Sequence, residues 1–136
     1  MKNVTRVLLM TVAVGVGVAP GVSAHHGANL YDMTKAVMLK GTIAKFYWGN
    51  PHNEVTIDVK DEKGNVAQWV AYTEPPLVML ERGWTRKSMT IGDEVTVYIF
   101  VARNGSTVGT LNRIVLKDGK ELTAYPMPGA PAPPAK

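Results

Sequence analysis

Between residues 35 and 48 the stretch KAVMLKGTIAKFYW places Val37, Leu39, Gly41 and Ile43 on one parity, and then Phe46 and Trp48 on the other. A period of two predicts a strand, and the slip after Ile43 predicts a long strand that bends, with Gly41 offering a place for a bulge. NEVTIDV alternates cleanly, Val55, Ile57 and Val59 against Glu54, Thr56 and Asp58. The polar turn KDEKGN then leads into VAQWVAYT, so the second and third strands form a hairpin.

The period changes in TEPPLVMLERGW. Pro75 and Pro76 are tolerated only in a first helical turn, Leu77 and Leu80 stand three apart, and Gly83 suits a C-terminal cap, which together predict a helix of about two turns. IGDEVTVYIFVA returns to alternation with Val95, Val97, Ile99 and Val101 on one parity. Apolar residues on its other parity predict burial on both sides. RNGSTVG turns the chain into TLNRIVL, a fifth strand before KDGKEL.

Three strands, one short helix and two more strands predict a mainly β fold, a small five-stranded OB-like Greek-key barrel with its helix between strands 3 and 4. An SH3-like barrel or a split sandwich is the alternative order of these elements. A length of 136 residues calls for a single domain, here residues 25–124. YPMPGAPAPPAK, residues 125–136, is Pro/Ala-rich and reads as an extended tail.

Composition changes the picture first at the N-terminus. Lys2 and Arg6 precede the uncharged run VLLMTVAVGVGVA, Pro20 and Gly21 break it, and Val22, Ser23 and Ala24 follow. Residues 1–24 therefore read as a secretory signal peptide, cut after Ala24, and the run is too short for the roughly 20 apolar residues of a membrane span. The implied destination is the periplasm or the exterior, with no stable membrane insertion after cleavage. Removing Lys2 and Arg6 from the 15 basic residues leaves 13 against 11 acids, a net +2. That balance gives no basic face for nucleic acid.

The absence of cysteine excludes disulfides, thiolate metal sites and thiol nucleophiles. The chain's three histidines are His25, His26 and His52. Cleavage after Ala24 gives His25 both a free α-amine and an imidazole, a chelate from one residue, and His52 completes a three-nitrogen set that suits Cu(II) better than zinc. His26 is a further candidate metal ligand, in an axial position or in place of His52. The bland alternative is a solvated terminal His-His pair and a His52 that hydrogen-bonds within a turn.

In an OB-fold the loop after the first strand borders the ligand face, so Trp48, Asn50 and Asn53 are candidate ligand-binding residues. Asn50-Pro51 also has a purely structural reading as a turn, and Trp48 as a rim or core aromatic. Asp32 is expected to cap a turn, Glu74 to stabilise the helix N-terminus, and Arg82 to stack on Trp84. Met33 is a candidate soft ligand for Cu(I). No catalytic residues are assigned, because nucleophile, phosphate-loop and paired-carboxylate motifs are missing.

The motifs AHHGANLYD, WGNPHN, RGW and the following GD occur together in this order. In them the chain resembles a family of small bacterial periplasmic proteins of unknown function. The resemblance covers nearly all of residues 24–122, and it implies that His25, His26, Trp48, Asn50, Pro51, His52, Arg82, Gly83 and Trp84 are family-typical positions. Members often carry Ser-Phe where this chain has Gly27 and Ala28, and an acid after the third strand that Glu74 approximates.

The function expected from these residues is that of a small periplasmic binding protein, with copper as the ligand that fits best. The alternatives are a metal-free OB-type module that grips a peptide, glycan or small organic ligand between the loops at 50–53 and 104–107, and a structural partner in an envelope complex.

Overall fold

The chain forms β1 (Val37–Tyr47), β2 (Glu54–Lys60), β3 (Val66–Tyr72), α1 (Pro76–Glu81), β4 (Glu94–Val101), β5 (Val108–Leu116) and β6 (Glu121–Thr123). The structure, a computed structural model, describes residues 30–126. The expected signal peptide (residues 1–24), His25, His26 and the tail from Met127 onward lie outside the described residues. Strands run in the order β3-β2-β1-β4-β5-β6, and a parallel pairing of Val70–Tyr72 with Val108–Thr110 closes β3 onto β5. The first five strands thus make the expected OB-like barrel, with one short helix between the third and fourth strands. Beyond the five barrel strands, β6 is an additional short strand, laid on β5 through Arg113–Thr123, Ile114–Leu122 and Val115–Glu121.

Alternation decides which side chains fill the barrel. Ile43, Val55, Ile57, Ala71, Val95, Val97, Ile99, Leu111 and Ile114 are buried and form one cluster with Met79 and Trp84 from the helical segment. The long first strand serves both halves, pairing with β4 over Val37–Thr42 and with β2 over Thr42–Tyr47. Its register shifts between Ile43 and Lys45, so the bulge sits at Ala44, where the parity slips, rather than at Gly41. Gly41 has a different task. A Cβ there would lie 2.5 Å from the Asp58 carbonyl oxygen and 2.7 Å from Ile57 Cγ2, so only glycine lets the coiled strand lie this close to β2.

Pro76 occupies the start of α1 and the six-residue helix ends in a Schellman motif. Trp84 N–H donates to Met79 O at 3.0 Å, Gly83 N–H to Leu80 O at 3.0 Å, and Gly83 has φ +82°. Gly83 is thus the cap the spacing predicts. The motif brings Met79 and Trp84 into the core together, while Leu77 and Leu80 stay exposed at 72% and 51%. A helix of six residues presents only one inward position, and the Leu77/Leu80 spacing does not mark it. Glu74 makes no side-chain cap either, since Pro75 holds the N-cap position.

Arg82 and Trp84 do not stack; each reaches a different carbonyl at the end of β6, that of Thr123 or of Ala124 just after it. Trp84 Nε1–H donates to Thr123 O at 2.8 Å and an Arg82 guanidinium N–H donates to Ala124 O. Across the sheet, Asn112 bulges out of β5, because Tyr98 pairs with Arg113 and Ile99 with Leu111. Its carbonyl accepts from Ala124 N and Tyr125 N, and its side-chain amide donates to Tyr125 O at 2.7 Å. These bonds hold the chain against β5 as far as Tyr125.

Candidate functional site

The loop between β1 and β2 is built around Asn53. Its side chain is 1% exposed, its Oδ1 accepts from Gly49 N at 3.1 Å, and its Nδ2 donates to Thr73 Oγ1 at 3.1 Å and Glu74 O at 3.0 Å. Thr73 N returns a bond to Asn53 O at 3.1 Å. The amide proposed for a ligand is directed inward and holds this loop against the end of β3. A buried amide with bonds from both ends is a structural pin.

The neighbouring candidates diverge from it. His52 is half-buried, and its Nδ1 lies 3.1 Å from Thr73 O. A carbonyl oxygen only accepts, so Nδ1 carries the proton and the lone pair of the neutral ring is on Nε2. Trp48 is half-buried, packs against the core and meets Phe46 edge-on at 5.8 Å, with Phe46 in turn 6.5 Å from Trp84. Asn50 is exposed, and its bond to Pro51 is cis. Within the loop the structure brings together His52, Asn53, Thr73 and Glu74, while Asn50 faces solvent.

The segment leading into β1 is fastened to the chain at the end of β4. Leu30 O accepts from Arg103 N at 3.0 Å, Asp32 N donates to Val101 O at 2.9 Å, and Tyr31 bridges to Ala102. Asp32 caps its turn as expected, accepting from Thr34 N and Thr34 Oγ1, with Arg103 at 4.0 Å. These bonds, those from the Thr34 hydroxyl first, hold its carboxyl below the usual range. Burial pushes the Tyr31 phenol up, the nearby Tyr72 phenol adds to this, and a hydrogen bond with Thr110 partly offsets both. Met33 is half-buried in the same segment.

One row of side chains escapes a reading of the loops alone. Tyr47 pairs with Glu54, Glu54 with Tyr72, and Tyr72 with Thr110, so all four point outward from the barrel side by side. Tyr47 is 46% exposed and Tyr72 36%. Glu54 between them accepts from Lys45 Nζ at 3.1 Å and Thr56 Oγ1 at 3.3 Å. The signal was the hairpin register, which sets Glu54 beside an outward tyrosine on each flank. At the far end of the same ladders an open groove of about 800 Å³ is lined by Lys40, Lys60, Lys117, Asp58 and Glu94, and Glu94 pairs with Lys117 at 3.1 Å. Its mixed signs build no single-charge field.

Residues 13–113, from before the described chain to the bulge of β5, match the sequence pattern described as "Family of unknown function (DUF6152)". The chain belongs to this family. For DUF6152 the match spans the whole barrel except the end of β5 and β6, and so includes the His52 loop, the Arg82-Gly83-Trp84 cap and the tyrosine row. Neither the curated proteins nor the solved structures contain a match to the chain. Among the described residues no group of three or more His, Asp or Glu side chains is arranged to hold a metal ion. His25 and His26, the other candidate metal ligands of this DUF6152 chain, lie outside the described residues.

Proposed function

We propose that this protein is a periplasmic copper(II)-binding protein, exported by residues 1–24, in which the α-amine and imidazole of His25 and the imidazole of His52 bind the metal and His26 stands by as a further ligand. The observation that carries the reading is the bond from His52 Nδ1 to Thr73 O. Metal-binding histidines commonly donate their second ring N–H to a backbone carbonyl, which fixes the ring and keeps the other nitrogen basic.

Reach supports the same reading. Tyr31 interacts with Tyr72 and Thr110, and Tyr72 precedes the residue that holds His52. Thr110, Tyr72 and Glu54 are adjacent across two strand spacings, so His52 lies roughly 10–15 Å from the Tyr31 anchor. Five residues lie between His25 and Tyr31, and these six Cα–Cα steps extend up to about 20 Å. An amine and two imidazoles form the tetragonal nitrogen set that favours Cu(II), and their protonation weakens binding as pH falls.

The test is a Cu(II) titration of protein beginning at His25 and of the same protein with one additional N-terminal residue. Submicromolar binding to the first, lost in the second and in His52→Ala, is the expected result. Equal binding by both, or none tighter than micromolar, overturns the amine chelate. A mature N-terminus other than His25, read from the intact mass of the exported protein, overturns it independently.

A further inference from the structure

We propose that the outer face of β1, β2 and β3 at the His52 end is a carbohydrate-binding platform, with Tyr47 and Tyr72 as stacking rings and Glu54 between them as an acceptor for sugar hydroxyls. Exposed aromatic rings on a rigid sheet stand out in a chain whose tryptophans and phenylalanines pack inward and whose outward Tyr98 is covered by Arg113, 3.9 Å from its ring centroid. Trp84 and Phe100 are fully buried, and Phe46, Trp48 and Trp69 pack on the core, while Tyr47 and Tyr72 retain 46% and 36% of their surface. The phenol of Tyr47 rests against Gly49, where any Cβ would collide with it, so the loop leaves room for this ring position. Tyr72 has Tyr31 at its side.

The geometry selects the ligand. Tyr47 and Tyr72 stand two strands apart, about 10 Å, the length of a short run of sugar rings. The ring faces offer apolar area with polar edges, which suits the mixed faces of a pyranose. Glu54 is countered by Lys45 at 3.1 Å, so the row carries no net charge to attract an ionic polymer. A carboxylate at its centre opposes a phosphate backbone, whose binding needs a basic groove. A peptide cannot add as a strand here either, because Val70–Tyr72 is already paired with β2 on one side and β5 on the other. A neutral polyhydroxylated chain meets all of these conditions, on the face that OB-folds present to oligosaccharides.

The experiment is chemical-shift mapping on the isotope-labelled full chain with EDTA present, using chitotetraose and cellotetraose as probes. Saturable shifts at Tyr47, Glu54 and Tyr72 with at least one sugar are expected, with dissociation constants in the millimolar range. Tyr47→Ala and Tyr72→Ala each weaken binding about three- to tenfold, and the pair abolishes it. Both rings are exposed, so an unchanged spectrum for Ile57 and Ile99 certifies the fold of each variant. The absence of shifts with both sugars, or equal binding by the double variant, overturns the proposal. Because the metal is chelated throughout, neither result depends on the copper reading.

Discussion

Asn53 Nδ2 donates to Thr73 Oγ1 at 3.1 Å, and this bond between the start of β2 and the end of β3 holds the loop that carries His52. The same amide also bonds Gly49 N and Glu74 O, so truncation removes three buried or partly buried bonds at once and leaves Thr73 Oγ1 and Glu74 O only the bond between them at 2.9 Å. Asn53→Ala is expected to cost on the order of 2–3 kcal/mol in urea denaturation. Asn53→Asp is expected to cost no less, because a carboxylate cannot donate to Glu74 O. A loss below about 0.5 kcal/mol would show that water replaces these partners and that the loop is not pinned.

Trp84 ties the helical segment to β6 through both its ring and its indole N–H. Trp84→Ala empties a fully buried ring site and is expected to cost about 3–5 kcal/mol. Trp84→Phe keeps most of the ring and loses the bond to Thr123 O, for about 1–2 kcal/mol. Chemical denaturation separates the two effects, and amide exchange at Leu122 and Ala124 reports whether β6 loosens first.

Gly83 adopts φ +82° to complete the helix cap, a conformation that a Cβ disfavours. Gly83→Ala is therefore expected to lower stability by about 1–2 kcal/mol without changing the sheet. Circular dichroism together with a shifted urea midpoint at constant slope is the check.

Gly83 and Asn53 also mark what the sequence makes legible. The five barrel strands, the helix and its cap follow from local signals, namely parity, proline position and a glycine after an apolar run. The bulge at Ala44 is visible as the parity slip after Ile43, although Gly41 draws attention to the wrong residue. The missed features depend on contacts far apart in sequence. Asn53 reads as a surface loop amide until Thr73 and Glu74, 20 and 21 residues away, are seen to surround it. Arg82 and Trp84 are four decades of sequence from the carbonyls they bind, and β6 is too short for a period to reveal it. The exposed Leu77 and Leu80 mislead for the converse reason, since a six-residue helix has too few positions for spacing to define its buried side.

Asp32 couples the lead-in segment to acid. Its carboxyl is held below the ordinary range by the Thr34 hydroxyl and amide, then by Arg103 and Lys35. A lowered native value contributes stability that is present above the unfolded-state value and lost as pH falls through the native one. Asp32→Asn is thus expected to destabilise the protein at neutral pH and to flatten the acid limb of its stability profile. Urea midpoints compared at neutral pH and below about pH 3 provide the measurement. If wild type and Asp32→Asn lose stability in parallel on acidification, Asp32 is not a contributor.

Tyr31 makes the opposite prediction at the alkaline end. Burial raises its phenol above the ordinary tyrosine range, and the neighbouring Tyr72 resists a second phenolate beside it. The native state therefore holds this proton more tightly than the unfolded chain does. The corresponding stability is complete below the unfolded-state value near 10 and is lost as pH rises through the higher native value. Tyr31→Phe removes the titration but also the hydrogen bond with Thr110, so it starts slightly less stable at neutral pH and loses less on alkalinisation. Denaturation midpoints across the alkaline range test this crossing trend, and Tyr72→Phe supplies the control: without the neighbouring phenol the native Tyr31 value moves down toward its unfolded-state value, so the total alkaline loss should be smaller than in wild type, or Tyr72 is not the neighbour that opposes it.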